Sequence, residues 1–239
     1  MSAETHPHQA VKGLFRQRFR MLLAALVLLF ALYPFLEELV AGRLVSLFFT
    51  AILAAATYAI SRNRRWLVVA LVLAAGSLSG QWLSHFQNTA VVNVVARAFG
   101  CLFFLLTALT IIEHVLKGGT VTGDKICGAI CAYLLLGLMW AFLFGLIEVV
   151  HPGSFLENGH LIAYGAGGVR EFRLINSLIY YSIATQTTTT YGDILPITGP
   201  ARAFSNLEAI AGQMYVAVLI ARLVALQIVQ AGKEHENPT

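Results

Sequence analysis

The stretch richest in oxygen-bearing side chains is a run of four threonines, Thr187, Thr188, Thr189 and Thr190, followed by Tyr191, Gly192 and Asp193. Taken alone, a threonine run is also what a β-prone or turn-forming segment looks like, and the Tyr-Gly-Asp tripeptide is common. Other residues able to do chemistry are sparser. Cys127 and Cys131 share a helix face at i, i+4, a spacing that can seed a metal site, but no His or carboxylate nearby completes a ligand set, which favours small apolar filler. Glu113 and His114 are adjacent and could sense pH or bind a metal, yet no second ligand is evident and an interfacial polar cap is the better reading. Glu208 stands inside a long apolar run, where an ionisable group reads as functional and calls for a partner such as a hydroxyl. A nucleophile paired with a base, or an HExxH metal set, is missing, so no enzymatic activity is expected.

The rest of the chain decides what surrounds these residues. It has 239 residues, 58% hydrophobic and 12% charged. Soluble domains run at roughly 45–50% apolar and about 25% charged. Helices in lipid can be apolar all round, so the balance points to a membrane protein. Net charge is +4, but the basic residues sit in short segments between long apolar runs, which argues against nucleic acid as a partner. Three cysteines, all within apolar runs, offer no disulfide framework.

A membrane crossing needs roughly 20 predominantly apolar residues. Runs of that kind lie at about 21–41, 43–61, 66–86, 89–116, 126–150 and 202–230. The first ends in Tyr33, Pro34, Phe35 and Glu37 rather than a small-residue cleavage site, and is read as a retained helix. Residues 151–173 are rich in Gly and polar groups, and 174–186 is apolar but too short to span. With the N-terminus cytoplasmic, Lys12, Arg16, Arg18, Arg20, Arg62, Arg64, Arg65, Lys117, Lys125 and Lys233 fall inside. Only Arg43, Arg170, Arg173 and Arg202 fall outside, as the positive-inside rule requires. Both termini are then cytoplasmic in a multi-pass cell-membrane protein. The short apolar stretch must dip in from the outer face and return. Non-helical backbone at that depth survives only where protein buries it or water lines it, which implies a pore or a binding cavity.

The re-entrant segment reads Tyr180-Tyr181-Ser182-Ile183-Ala184-Thr185-Gln186-Thr187, then Thr188 to Asp193 and Ile194-Leu195-Pro196-Ile197-Thr198. It resembles the pore helix and selectivity filter of potassium channels, with paired aromatics, a Ser/Thr-rich helix end and a Thr-Val-Gly-Tyr-Gly-Asp signature. The resemblance covers about residues 117–230; the first four helices match only in number and topology. It implies an all-α membrane protein with six transmembrane helices and a re-entrant pore helix and selectivity filter between helices five and six. The hydroxyl of Thr188 and the carbonyls of Thr188, Thr189, Thr190 and Tyr191 would be the sites of a permeating potassium ion, with Gly192 and Asp193 completing the filter. Four chains in a homotetramer would stack these oxygens as rings that replace the ion's water. Tyr181, Thr185 and Thr187 would support the filter from the pore helix, Tyr181 bonding to the mouth acid Asp193. Ala184 stands where some members carry a Glu, so no carboxyl pair with Asp193 is expected. Thr190 departs from the family's first filter glycine. A β-branched residue at positive φ is an outlier, which implies strain and weakened selectivity.

In the sixth helix Gly212 falls where the family places a gating hinge; close helix packing is an equally weighted reading. Arg222, near its cytoplasmic end, is expected to snorkel. The fourth run holds Arg97 but no arginine ladder. One charge crossing 100 mV is worth about 2.3 kcal/mol, so a steep voltage sensor is not expected. Arg97 is assigned to Glu37 or Glu38, or to the interface. Gly76 and Gly80 form a GxxxG pair suited to helix packing. The expected organisation is a cytoplasmic basic arm at 1–20, fitted to anionic lipid, a four-helix transmembrane region at 21–116, a pore domain at 117–230 and a cytoplasmic tail at 231–239. No cofactor is expected, and no cytoplasmic ligand-binding domain. The rival functions are a non-selective cation channel, a non-conducting regulatory homologue and a secondary transporter, the last requiring internal repeats that are not seen.

Overall fold

Long apolar runs become helices because only a helix satisfies its own backbone in hydrocarbon. The computed structural model describes residues 18–32, 56, 64–84, 90–117, 122–162 and 168–236. The described elements, in order, are α1 (Arg18–Leu32), α2 (Arg64–Ser84), α3 (Ala90–Leu116), α4 (Gly123–Val150), β1 (Phe155–Glu157), β2 (His160–Leu161), α5 (Gly168–Gln186), β3 (Ile194–Pro196) and α6 (Gly199–Glu236). Among the described residues three helices are long and apolar enough to cross a membrane: Val91–Leu116, Gly123–Val150 and Gly199–Ile228. Shorter apolar helices lie at Phe19–Leu32 and Trp66–Ser79. The chain is mostly helical, consistent with an all-α membrane protein. The run at 43–61 apart from Ala56, the acids Glu37 and Glu38, and Lys12 and Arg16 lie outside the described residues.

Helix α4 is the centre of the packing, apolar on every side and buried along most of its length. Its start is set by Thr122, whose side chain accepts from the Lys125 amide, and by Asp124 in the positive first turn. Phe19, Leu22, Leu26 and Leu29 recur at helical spacing on α1 and meet Phe103, Phe104, Ala108 and Ile111 of α3 and Leu135 and Leu138 of α4 in one core. Thr107 and Thr110 satisfy their hydroxyls on the carbonyls of Phe103 and Leu106, four residues back. Gly76 lets α2 approach the Phe99 ring, where a Cβ would sit 2.7 Å from the ring carbon. Arg20, Lys117, Lys125 and Arg222 gather at one end of this bundle. The Arg20 guanidinium lies beside Gly123, Lys125 Nζ donates to the Lys117 carbonyl (3.2 Å), and Arg222 Nη2 donates to the Leu116 carbonyl (3.4 Å).

Of the partners expected for Arg97, Glu37 and Glu38 lie outside the described residues, and the interface is not reached. The Arg97 side chain is buried, 4% exposed, and the guanidinium donates to the Gly145 carbonyl of α4. Gly145 leaves the room: a Cβ there would lie 3.2 Å from Arg97 Nη1. The charge is thus engaged between α3 and α4 rather than carried to an interface.

The all-α expectation omits a small antiparallel sheet in the order β2-β1-β3. Leu156 faces Leu161 and Glu157 faces His160 across the hairpin, while Phe155, Leu156 and Glu157 face Pro196, Leu195 and Ile194. The hairpin closes on Asn158 and Gly159 at φ 50° and 81°, the left-handed pair that a two-residue turn of this type demands. Glu148, fully buried at the end of α4, redirects the chain into it: its carboxylate accepts from the amides of Gly153 (2.7 Å) and Ser154 (2.9 Å). Alanine at Glu148 strands both amides and is expected to cost roughly 2–4 kcal/mol, seen as a lowered thermal midpoint of the purified protein.

Candidate functional site

Helix α5 buries Leu174, Leu178 and Tyr181, at i, i+4 and i+7, in a second core with Phe144, Ile147, Phe155 and Ile194. Its last turn is fixed to α4 by a reciprocal pair. Tyr133 Oη donates to the Gln186 carbonyl (3.1 Å), and Gln186 Nε2 donates to the Tyr133 carbonyl (2.9 Å).

Beyond Gln186 the chain turns back. The Thr188 amide donates to the Thr185 carbonyl (3.0 Å), and the amides of Thr189 (2.8 Å) and Thr190 (3.3 Å) both donate to the Ala184 carbonyl. Thr187 Oγ1 donates to the Ile183 carbonyl (2.7 Å) and lies 2.9 Å from Thr189 Oγ1. Residues 187–193 are exposed throughout. The far end is held by the sheet, where the Asn158 amide donates to the Asp193 carbonyl (2.8 Å). Positive φ recurs at every second position, 56° at Thr188, 32° at Thr190 and 84° at Gly192. Thr190 therefore takes the left-handed backbone that a glycine would take there, carrying a β-branched side chain at a cost of order 1–3 kcal/mol.

The partner expected for Tyr181 is wrong. Its hydroxyl lies 2.6 Å from Ser205 Oγ on α6, and its ring packs edge-on against Phe144 and Phe155. The Asp193 carboxylate accepts instead from the Ile194 amide (3.1 Å). Helical phase explains the exchange: Tyr181 shares the inward face with Leu174 and Leu178, whereas Tyr180 is turned to the extended stretch and stacks on Tyr191, with centroids 6.0 Å apart and planes 9° apart. Thr185, one turn beyond Tyr181, is buried.

Two further residues of α6 reach α5. Ser182 Oγ donates to the Gly137 carbonyl (2.7 Å) and lies 2.5 Å from Glu208 Oε1, joining α4, α5 and α6 at one point. Ser182 has a single hydroxyl proton, and it faces two acceptors, the Gly137 carbonyl and Glu208 Oε1. Gly212 packs against the end of α5: a Cβ there would collide with the Gln186 carbonyl and lie 2.9 Å from Gln186 Cγ. Of the two readings of Gly212, the geometry supports close packing. Tyr133, Ser205 and Asn158 escape the sequence reading, and of these only Asn158 carries a signal, the Asn-Gly pair; Tyr180 enters it only as one of the paired aromatics.

Residues 129–227 match the ion channel family model, Ion_trans_2. The matched segment runs from Ala129 in α4 through the sheet, α5 and residues 188–193 to Gln227 in α6, and leaves α1, α2 and α3 outside it. It covers less than half of the chain. No curated protein and no solved structure matches. The match supports an ion channel placed in a membrane.

Proposed function

We propose that the chain is one subunit of a homotetrameric, potassium-permeable cation channel that conducts through residues 188–193, with selectivity weakened by Thr190. The observation that carries this reading is the extended, exposed stretch with positive φ at every second residue, tied down at its two ends. Alternating the sign of φ turns successive peptide planes the same way, which would present the carbonyls of Thr188, Thr189, Thr190 and Tyr191 to one side. One such segment cannot enclose an ion, and rings from several copies can. The almost wholly unburied apolar surface of α6, including Ile210, Met214 and Val218, suits contact with lipid and further copies. The reading includes six crossings, a re-entrant α5 and cytoplasmic termini. Its support is the gathering of Arg20, Lys117, Lys125 and Arg222 at one end of the bundle, as the positive-inside rule asks of the cytoplasmic face. No cofactor beyond the permeant ion is needed.

A second reading, a non-selective cation channel, draws on the strained Thr190 itself: a site that departs from the glycine geometry in four copies would hold its ions less discriminately. Reversal potentials of the purified protein in mixed sodium and potassium distinguish the two. Potassium preference is expected, rising by about tenfold in Thr190→Gly as roughly 1–3 kcal/mol of strain is relieved. Sodium selectivity, or saturable coupled flux without unitary current, would overturn the proposal.

A further inference from the structure

We infer that Gln213 is a positioning residue for the inner end of the filter, holding Thr188 in its left-handed conformer through a hydrogen bond from α6. The inference rests on the channel reading of residues 188–193. Two β-branched residues in that stretch have positive φ, and each needs something to keep it there. Thr190 and its neighbour Thr189 are both tied through their amides to the Ala184 carbonyl. Thr188 is tied differently. Its amide bonds to Thr185, as the last turn of a helix would arrange in any case, while its side-chain oxygen receives a hydrogen bond from Gln213 Nε2 (3.4 Å).

The reach of Gln213 depends on its neighbour. Gly212 allows α6 to come into contact with the Gln186 carbonyl, two residues before Thr188, and Gln186 is itself fixed to Tyr133. From that contact the next side chain of α6 spans the remaining gap. Gln213 stands on a helix whose exposed neighbours Ile210 and Met214 are apolar, and a carboxamide there has a task that a solvated face does not set. A hydroxyl oxygen has two lone pairs. Accepting from Gln213 uses one and leaves the other for an ion, so the bond fixes the side chain without removing it as a ligand.

Solid-state NMR of threonine- and glutamine-labelled protein in lipid vesicles tests the contact. In the unmodified protein a cross-peak between the Gln213 side-chain amide and Thr188 Cβ is expected, and its absence overturns the inference. In Gln213→Met, which keeps the length and loses the donor, the Thr188 Cα and Cβ shifts should leave the left-handed range while those of Thr190 stay. In Gln213→Glu, which can accept from the Thr188 hydroxyl, they should remain. Unchanged shifts in Gln213→Met, or equal displacement in both variants, would overturn it. Conduction separates this claim from the one beneath it. The potassium-to-sodium permeability ratio should change about three- to tenfold in Gln213→Met, the scale of one lost hydrogen bond, and not further when Gln213→Met is added to Thr188→Ala. An unaltered ratio in Gln213→Met defeats the positioning role and leaves the channel reading standing. Absence of current from the unmodified protein defeats the channel reading and leaves the contact to be judged by its cross-peak.

Discussion

Alanine at Gly212 is expected to destabilise the assembled protein and disturb the inner end of residues 188–193 together. The added Cβ meets backbone, the Gln186 carbonyl, and that carbonyl cannot swing aside because Tyr133 holds it and the Gln186 side chain holds Tyr133 in return. Either α6 backs away from α5 or the last turn of α5 deforms. Overpacking of this kind costs about 1–3 kcal/mol per chain. A glycine that served only as a hinge would behave otherwise: alanine would leave the thermal midpoint alone and alter open probability by stiffening the helix. Thermal unfolding of Gly212→Ala alongside its single-channel record separates the two. A wild-type midpoint with a changed open probability would return the residue to the hinge reading.

At Glu208 the expectation turns on which atom carries the proton. We expect the Ser182 proton to go to Gly137 and a protonated carboxyl to complete the contact, which a carboxamide can do as well. Glu208→Gln should therefore stay within about 1 kcal/mol of wild type. Glu208→Ala loses the bond and empties a fully buried site where α5 and α6 meet, and should cost about 2–5 kcal/mol. Unfolding midpoints measure the contrast. Infrared spectra add a direct readout: a protonated carboxyl stretch should be present in wild type and lost in Glu208→Gln. An equal penalty for Gln and Ala, with no such band, would mean that the group acts as an anion.

Helices α3, α4 and α6 were legible as apolar runs, because lipid rewards apolar length and the run ends are marked by charge. Their boundaries were less so. Helix α4 begins at Gly123 rather than 126, since a capping Thr122 and a polar first turn are helical without being apolar. For the same reason α5 begins at Gly168 rather than 174, and α6 continues to Glu236, past the expected tail boundary at 230. The sheet has one sequence signal, the turn pair Asn158-Gly159, and the Gly-rich, polar composition of 151–173 hides it.

The candidate site divides along the same line. The hydroxyl partner of Glu208 was foreseeable because a carboxyl at that depth requires one. Tyr181 was misassigned because a motif gives the order of two aromatics but not the rotation of the helix that carries them. That rotation is fixed by Leu174 and Leu178 turning inward. The role of Gly212 is undecidable from sequence, where a hinge and a close approach look alike; the distance to Gln186 supports the close approach. Gln213 gave no sign, since its partner lies 25 residues away on another element.

The central claim is that residues 188–193 of several copies line one path for cations. A density map of the assembled protein in potassium, at a resolution that shows single ions, tests it most directly. It should show four chains about one axis, with Thr188, Thr189, Thr190 and Tyr191 facing that axis and ion density between their oxygens. A map that places this stretch against lipid, or away from any symmetry axis, would contradict the account.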